Sequence, residues 1–446
     1  MDSSDPSALL TGTPYRAYAY AYPHKTAYRP LAQPAPLEQV WSGEPRGALF
    51  LYIHIPFCEM RCGFCNLFTV ANPKGGIEAA YLDALERQAR RTAAALGGAT
   101  FVRLAIGGGT PTYLEAADLH RLFDITANCF GLDPRAVPVS VETSPKTATP
   151  ERLRALRARG ADRISIGVQS FDDAEAAAAG RPQRRADVER ALEQIRAEGF
   201  PTLNIDLIYG IPGQTVDSWL KSLRAALRYA PEELYLYPLY VRPLTGLGRR
   251  APGGTDPEWD AQRLACYRAG RDMLRAAGYT QTSMRMFRAA HAPAAAGPVY
   301  CCQDDGMVGL GCGARSYTRA LHYSSEYAVS AGGVRAIIAD YLARPDESFG
   351  AAHYGIALGP EEQRRRFVIQ SLLQVEGLDL PAYRRRFGGE VLDDLPALAE
   401  LPGLGLAERA GDVLRLTNAG LERSDAIGPW LYTTEVGTLM EAYELR

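Results

Sequence analysis

Cys58, Cys62 and Cys65 stand closest to chemistry in this sequence. They lie in YIHIPFCEMRCGFC with the spacing C-x3-C-x2-C. Three thiolates this close can hold three irons of a [4Fe–4S] cluster. No fourth cysteine lies nearby in sequence, so the fourth iron would keep an open position for a ligand, as a catalytic zinc does. The same thiols could instead close around a zinc ion, with His54 as the one fourth ligand close by, or could carry no metal. Downstream, Gly107-Gly108-Gly109-Thr110 has no bulky side chain at its glycines, so backbone can approach a ligand closely. Glu142 and Asp206 can accept hydrogen bonds from hydroxyls or an ammonium, and Gln169 can donate or accept. Arg181 can grip a carboxylate in a fork. Taken singly, each of these also has an ordinary reading as a turn, a salt bridge or a surface group.

These residues need elements to position them. From about residue 48 the pattern repeats strand, loop, helix. Strands are expected at 50–55, 101–106, 137–142, 162–169, 202–210 and 233–241, and helices at 77–96, 115–128, 149–159, 184–198, 215–229 and 257–277. Such alternation implies an α/β fold with parallel pairing and βαβ crossovers. Six units are too few for an eight-fold barrel and suit a partial (β/α)6 barrel or an open sheet. Ligands in such folds bind at the carboxyl ends of the strands, so the motifs converge on one face.

Three regions follow. Residues 1–44 form a Tyr- and Pro-rich N-terminal arm, 45–334 the core barrel with an irregular glycine-rich extension, and 335–446 a mostly helical C-terminal accessory domain. In the last, Leu414–Thr417 followed by Gly420 reads as a short strand entering a helix, as in winged-helix modules. Tyr18, Tyr20 and Tyr22 alternate with alanine, which places three rings on one face of an extended segment. That face would pack on the main domain or help cover an active site. Arg364–Arg366 and Arg384–Arg386 read as solvated helix faces.

Composition narrows the partners. The 446 residues carry 49 basic and 51 acidic groups, a net charge of −2, which offers no electrostatic reason to expect nucleic acid or an anionic membrane. No uncharged apolar run reaches the roughly 18 residues of a spanning helix. MDSSDPSALL lacks the basic-then-apolar pattern of a signal peptide, so a cytoplasmic setting is expected. The eight cysteines then read as thiols or metal ligands rather than a disulfide frame. Cys301, Cys302 and Cys312 are read as buried free thiols, with a second metal or a part in methyl transfer as the sharper alternative. His291 and His322 read as surface histidines.

Together these motifs resemble those of the radical S-adenosylmethionine (SAM) superfamily. YIHIPFCEMRCGFC is similar to the segment found in the oxygen-independent coproporphyrinogen III oxidase group and its relatives. IGGGTPTYL (106–114), SVETSP (140–145), RISIGVQSFD (163–172), Gly180-Arg181, NIDLIYGIPGQT (204–215) and GLGCGARSY (309–317) follow in order. The resemblance spans roughly residues 48–330, with a weaker match beyond. It implies a partial (β/α)6 radical-SAM barrel and a cluster on Cys58, Cys62 and Cys65 whose open iron takes the amino and carboxylate groups of SAM. It also implies SAM contacts at Gly108, Gly109, Thr110, Glu142, Gln169, Arg181 and Asp206. Tyr52 and Phe64 would flank the cluster and adenine, and Tyr240 is a further pocket candidate. An electron from a donor such as flavodoxin or ferredoxin would cleave SAM to methionine and a 5′-deoxyadenosyl radical, which takes hydrogen from a small-molecule, tetrapyrrole or peptide substrate. One departure stands out. The true oxidases carry another cysteine two residues after the third, where this chain has Leu67. Related haem chaperones lack it too, as do methyltransferases and cyclopropanases that bind two SAM molecules. All three readings therefore stay open.

Overall fold

The structure, a computed structural model, describes residues 10–19, 21–73, 75–250, 256–294 and 305–445. Thirteen of the described strands form one sheet. They are β1 (Arg29–Pro36), β2 (Leu49–Ile55), β3 (Phe101–Gly108), β4 (Val139–Thr143), β5 (Arg163–Gln169), β6 (Thr202–Tyr209), β7 (Glu233–Pro238), β8 (Tyr279–Gln281), β9 (Met286–Ala289), β10 (Met307–Leu310), β11 (Arg315–Tyr317), β12 (Leu321–Ser324) and β13 (Ala351–Ala357). Their order across the sheet is β1-β13-β12-β11-β10-β2-β3-β4-β5-β6-β7-β9-β8. Strands β2 to β7 are neighbours in chain order and pair in parallel, the six units of a partial barrel. A helix joins each pair: Ile77–Leu96, Ala116–Phe130, Pro150–Ala158, Arg185–Ala197 and Val216–Leu227.

The period of two in these strands sorts side chains to two faces. Leu51, Ile53, Leu104, Ile106, Val139, Val141, Ile164, Ile166, Leu203, Ile205, Leu234 and Leu236 are buried in the main core beneath the helices. Burying each such side chain is worth about 1.5–3 kcal/mol. The alternate positions face the other way, and from β4 to β7 many of them are polar. Arg163 donates to Glu233 Oε2 at 2.7 Å and to Ser140 Oγ at 2.9 Å, and Asn204 donates to Ser165 Oγ at 2.7 Å. The barrel wall is thus apolar on its helix side and, along β4 to β7, hydrogen-bonded on its inner side.

The expected region boundaries do not coincide with structural breaks. The arm supplies β1, which pairs antiparallel with β13, and Trp41, which is fully buried and donates to Tyr323 at 2.9 Å. The helix Ala331–Ala343 and β13 also belong to the main core through Val334, Ile338, Tyr341 and Ala352. The C-terminal unit's own core begins with the helix Pro360–Leu372 and includes a three-stranded antiparallel sheet of Leu378–Asp379, Val413–Leu416 and Ala407–Ala410. Leu10, Ala19, Tyr22 and Ala27 of the arm are part of that core.

Tyr18 and Tyr22 of the arm do not share a face. Tyr22 is fully buried and Tyr18 is 40% exposed, because the segment bends instead of running extended; Tyr20 lies outside the described residues. Arg366 is not a solvated residue either. It is 2% exposed and donates to Asp305 at 2.9 Å and to the Tyr22 carbonyl at 2.7 Å. Among the described residues, no helix is long and apolar enough to cross a membrane.

Candidate active site

The cysteine loop leaves the carboxyl end of β2. Phe57–Cys58 pairs in parallel with Val70–Ala71, and Val70 N–H donates to the Pro56 carbonyl at 2.7 Å, closing the loop at its base. At its tip Cys65 N–H donates to the Cys62 carbonyl at 3.1 Å. Gly63 decides what reaches the thiols. It donates to the Gly180 carbonyl at 3.0 Å and accepts from Leu247 N–H at 2.7 Å. A Cβ there would lie 2.8 Å from the Ala179 carbonyl oxygen, and one on Gly180, where φ is +69°, would lie 2.6 Å from Gly63 Cα. This glycine-on-glycine contact brings Arg181 Nη1 to 3.6 Å from Cys62 Sγ. Thr110 Oγ1 lies 3.6 Å from Cys58 Sγ. Burial pushes the Cys58 thiol up to about 12 and raises Cys62 against the pull of Arg181, so a thiolate here calls for added positive charge.

The glycine loop after β3 is fastened to the same strand end. Gly109 N–H donates to the Ile55 carbonyl at 2.8 Å and Thr110 N–H to the Phe57 carbonyl at 2.7 Å. A Cβ on Gly109 would lie 2.6 Å from the Phe57 oxygen and 3.0 Å from Cys58 Sγ. Gly108 N–H donates to Glu142 Oε2 at 3.1 Å, tying β3 to β4. Gln169 ends β5 with φ +68°, where the register with β6 shifts between Gly167 and Gln169. A left-handed glutamine costs about 1–3 kcal/mol, a strain that clusters at functional sites. Its side chain folds over Gly167 beside Arg181. Asp206, on β6, accepts from Asn204 Nδ2 at 2.8 Å and Ser165 Oγ at 3.4 Å, and burial raises its pKa to about 6.

Two of the metal readings can be tested on this geometry. A tetrahedral zinc with Zn–S bonds of about 2.3 Å needs sulfurs about 3.8 Å apart. Among the described residues, no group of three or more His, Cys, Asp or Glu side chains is gathered in a way that could hold one metal ion. His54 is turned away from the thiols: its Nε2–H donates to the Phe68 carbonyl at 2.9 Å, and its Nδ1 packs on Gly108, where a Cβ would lie 2.5 Å from it. Three cysteines on one loop, with Thr110 and Arg181 beside two of the sulfurs, are the donor set that a [4Fe–4S] cluster with one open iron calls for.

The remaining candidates take different places. Tyr52 is on the inner face of β2, its ring 6.3 Å from that of His54. Phe64 backs the loop in an apolar cluster with Ile208, Ile211, Leu239 and Leu247. Tyr240, two residues past β7, donates to Asp425 of the C-terminal unit, which also pairs with Arg285; its hydroxyl is held at that seam. Cys312 lies on the helix side of the sheet, 3.8 Å from the Tyr81 hydroxyl, with its thiol pushed up to about 12, apart from the loop cysteines. Cys301 and Cys302 lie outside the described residues. His322 is fully buried on β12, not at the surface, whereas His291 is half-exposed. Sequence reasoning missed the inner-wall set of Ser140, Arg163, Ser165, Asn204 and Glu233. Its signal was present: these polar residues alternate with Val, Ile and Leu along β4 to β7.

A mixed α/β sheet with a cysteine loop and a glycine loop at its strand ends defines the class. A family model described as the Radical SAM superfamily matches residues 52–226, and one described as the HemN C-terminal domain matches 358–422. The chain belongs to the radical SAM superfamily, in its oxygen-independent coproporphyrinogen III oxidase-like group. It is 28% identical over 429 residues to the oxygen-independent coproporphyrinogen III oxidase of Escherichia coli, 90% of this chain and 91% of that one. The heme chaperone HemW of Bacillus subtilis is 28% identical over 376 residues, 83% and 95% of the two chains. A mouse protein, radical S-adenosyl methionine domain-containing protein 1, mitochondrial, is 34% identical over 283 residues, 63% of this chain and 62% of the mouse protein. The solved structure of the E. coli oxidase superposes with a TM-score of 0.75 at 26% identity, covering 92% of this chain and 96% of that one.

Proposed function

We propose that the chain is a radical SAM enzyme of the oxidase-like group, with Cys58, Cys62 and Cys65 holding a [4Fe–4S] cluster and SAM seated beside it. When bound, cluster and SAM supply a one-electron cleavage of the sulfonium C–S bond that yields a 5′-deoxyadenosyl radical. The protein's part is to orient and to exclude water. Gly108–Thr110 gives SAM's amino group a close backbone wall. Arg181 takes the carboxylate, and Glu142, Gln169 and Asp206 fix the nucleoside. The observation that carries this reading is the convergence of the two loops: Gly109 and Thr110 are hydrogen-bonded to the carbonyls that launch the cysteine loop.

The substrate is proposed to be a small organic molecule of tetrapyrrole type, and the electron donor a cytoplasmic flavodoxin or ferredoxin. Leu67, 46% exposed where the oxidases place an extra cysteine, argues against efficient coproporphyrinogen decarboxylation. A second reading, haem carriage with a retained cluster, draws support from the similarity to HemW over 95% of that protein's length. Anaerobic assay of the reconstituted protein with dithionite and SAM, alongside a haem titration followed by absorbance, separates them. 5′-Deoxyadenosine formation supports the enzyme, and stoichiometric haem binding without SAM cleavage supports the carrier.

A further inference from the structure

The cysteine loop is closed at its base and at its tip, but the limb that returns from Cys65 is held from outside. The Phe68 carbonyl accepts from His54 at 2.9 Å, and two residues earlier the Asn66 carbonyl accepts from the Tyr327 hydroxyl at 2.5 Å. Tyr327 is buried in the segment between β12 and the helix Ala331–Ala343. That segment is fitted to the loop at a second point. Ser325 Oγ accepts from Gly313 N–H at 2.9 Å, and a Cβ on Gly313 would lie 2.9 Å from the Phe68 ring and 2.8 Å from His54 Nε2. Gly313 and Tyr327 thus meet the return limb at Phe68 and at Asn66.

Two distant segments pin Tyr327. From the arm, the short turn Lys25–Ala27 places Lys25 Nζ 3.7 Å over the Tyr327 ring. A cation over an aromatic face is worth about 0.5–2 kcal/mol. By drawing on the ring's electrons it also makes the phenol a stronger donor. From the C-terminal unit, the Tyr443 hydroxyl donates to the Tyr327 carbonyl at 2.5 Å, with its ring 6.2 Å from that of Tyr327. Arg29 ties arm and C-terminal unit together, its guanidinium 5.7 Å over the Tyr443 ring and donating to the Leu439 carbonyl at 2.5 Å. A phenylalanine at 327 would fill the same space. What the hydroxyl adds is a grip on the peptide that follows Cys65.

We propose that Tyr327 is a positioning residue for the cluster: through the Asn66 carbonyl it fixes Cys65, with Lys25 of the arm and Tyr443 of the C-terminal unit holding Tyr327 in place. Fixing the peptide after Cys65 narrows the positions its Sγ can take, as outer partners orient the ligands of a metal site. The inference rests on the proposed [4Fe–4S] site, and its test reads the cluster rather than turnover. Reconstituted full-length protein is reduced anaerobically with dithionite and mixed with excess bathophenanthroline disulfonate. Release of iron is followed by absorbance, and the EPR spectrum of the reduced cluster is recorded alongside. Tyr327→Phe should lose iron about fivefold faster than wild type, the loss of one ordinary hydrogen bond, and shift the EPR signal. Lys25→Met should also speed the loss, and Lys25→Arg, which keeps the cation, should stay within about twofold of wild type. Tyr341→Phe is the control. It removes another buried hydroxyl, bonded to Gln88 at 2.8 Å in the main core, and should leave rate and spectrum unchanged. A Tyr327→Phe rate equal to wild type or matched by Tyr341→Phe, an unshifted EPR signal, or an unchanged Lys25→Met rate overturns the inference. The two proposals fail distinguishably: wild-type protein that takes up no iron–sulfur cluster refutes the proposed site and this role with it, whereas a cluster that Tyr327→Phe keeps as well as wild type refutes the positioning role alone.

Discussion

Replacing Asp206 by Asn separates two effects that a merely structural carboxylate would not separate. Burial raises the Asp206 pKa to about 6, against roughly 3.9 in an unfolded chain. Between those two values the folded protein holds a proton that the unfolded chain has released, and above about 6 it carries a buried charge instead. With the folded pKa above the unfolded one, stability is fullest below the unfolded value and is lost as pH rises through the folded value. A shift of roughly two units costs about 3 kcal/mol at neutral pH. Asn does not ionise and escapes that cost, which is already net of the hydrogen bonds from Asn204 and Ser165, and its Oδ1 remains an acceptor for them. The cluster-free Asp206→Asn protein should thus be about 2–3 kcal/mol more stable than wild type at pH 7.5, with the advantage shrinking toward pH 5, as read by urea melts. In the reconstituted protein the same variant should bind SAM roughly 10- to 150-fold more weakly, the loss of one hydrogen bond to a charged group. Anaerobic equilibrium dialysis reads that, with iron content as the control. A variant less stable at pH 7.5, or an advantage that does not shrink in acid, refutes the burial argument. An unchanged SAM affinity removes Asp206 from the site.

Other expectations follow from single contacts. Changing Cys58, Cys62 and Cys65 together to alanine should abolish the roughly four irons and four sulfides per chain expected after reconstitution, as measured by iron and sulfide assay. Gly109→Ala forces a methyl to 2.6 Å from the Phe57 oxygen; overpacking of about 1–3 kcal/mol should shift the loop from Cys58 and lower cluster content, and full iron loading would contradict this. Asp425→Ala removes the buried carboxylate shared by Arg285 and Tyr240 and should cost about 3–5 kcal/mol in urea melts. Coproporphyrinogen III should not be decarboxylated efficiently, since Leu67 stands in for the extra cysteine; turnover at about 1 s⁻¹ or faster in an anaerobic assay would show that Leu67 is harmless.

The six parallel strands were readable because period two in a half-buried strand and period 3.6 in a covering helix leave different marks. The helix expected at 77–96 is found at Ile77–Leu96. Placement at the strand ends was readable too, because a parallel sheet leaves its loops on one side. What failed was long-range or bent. The arm's tyrosines alternate, yet the chain turns at Tyr22 to fill a core built from residues 368–436, and no local period encodes a partner that distant. β13 pairs with β1 across more than 300 residues, so the arm's membership of the sheet was invisible. His54 looked like a ligand by proximity to the cysteines. In the strand it sits beside Gly108 and Gly313, whose missing side chains make room for its ring.

The central claim is that this chain cleaves SAM reductively at a three-cysteine cluster. The most direct measurement is anaerobic incubation of the reconstituted protein with dithionite and SAM, with products resolved by chromatography. The account predicts 5′-deoxyadenosine and methionine in equal amounts, formed slowly without substrate and absent in the triple cysteine variant. Stoichiometric zinc with no iron–sulfur absorbance, or an intact cluster that leaves SAM uncleaved, would contradict it.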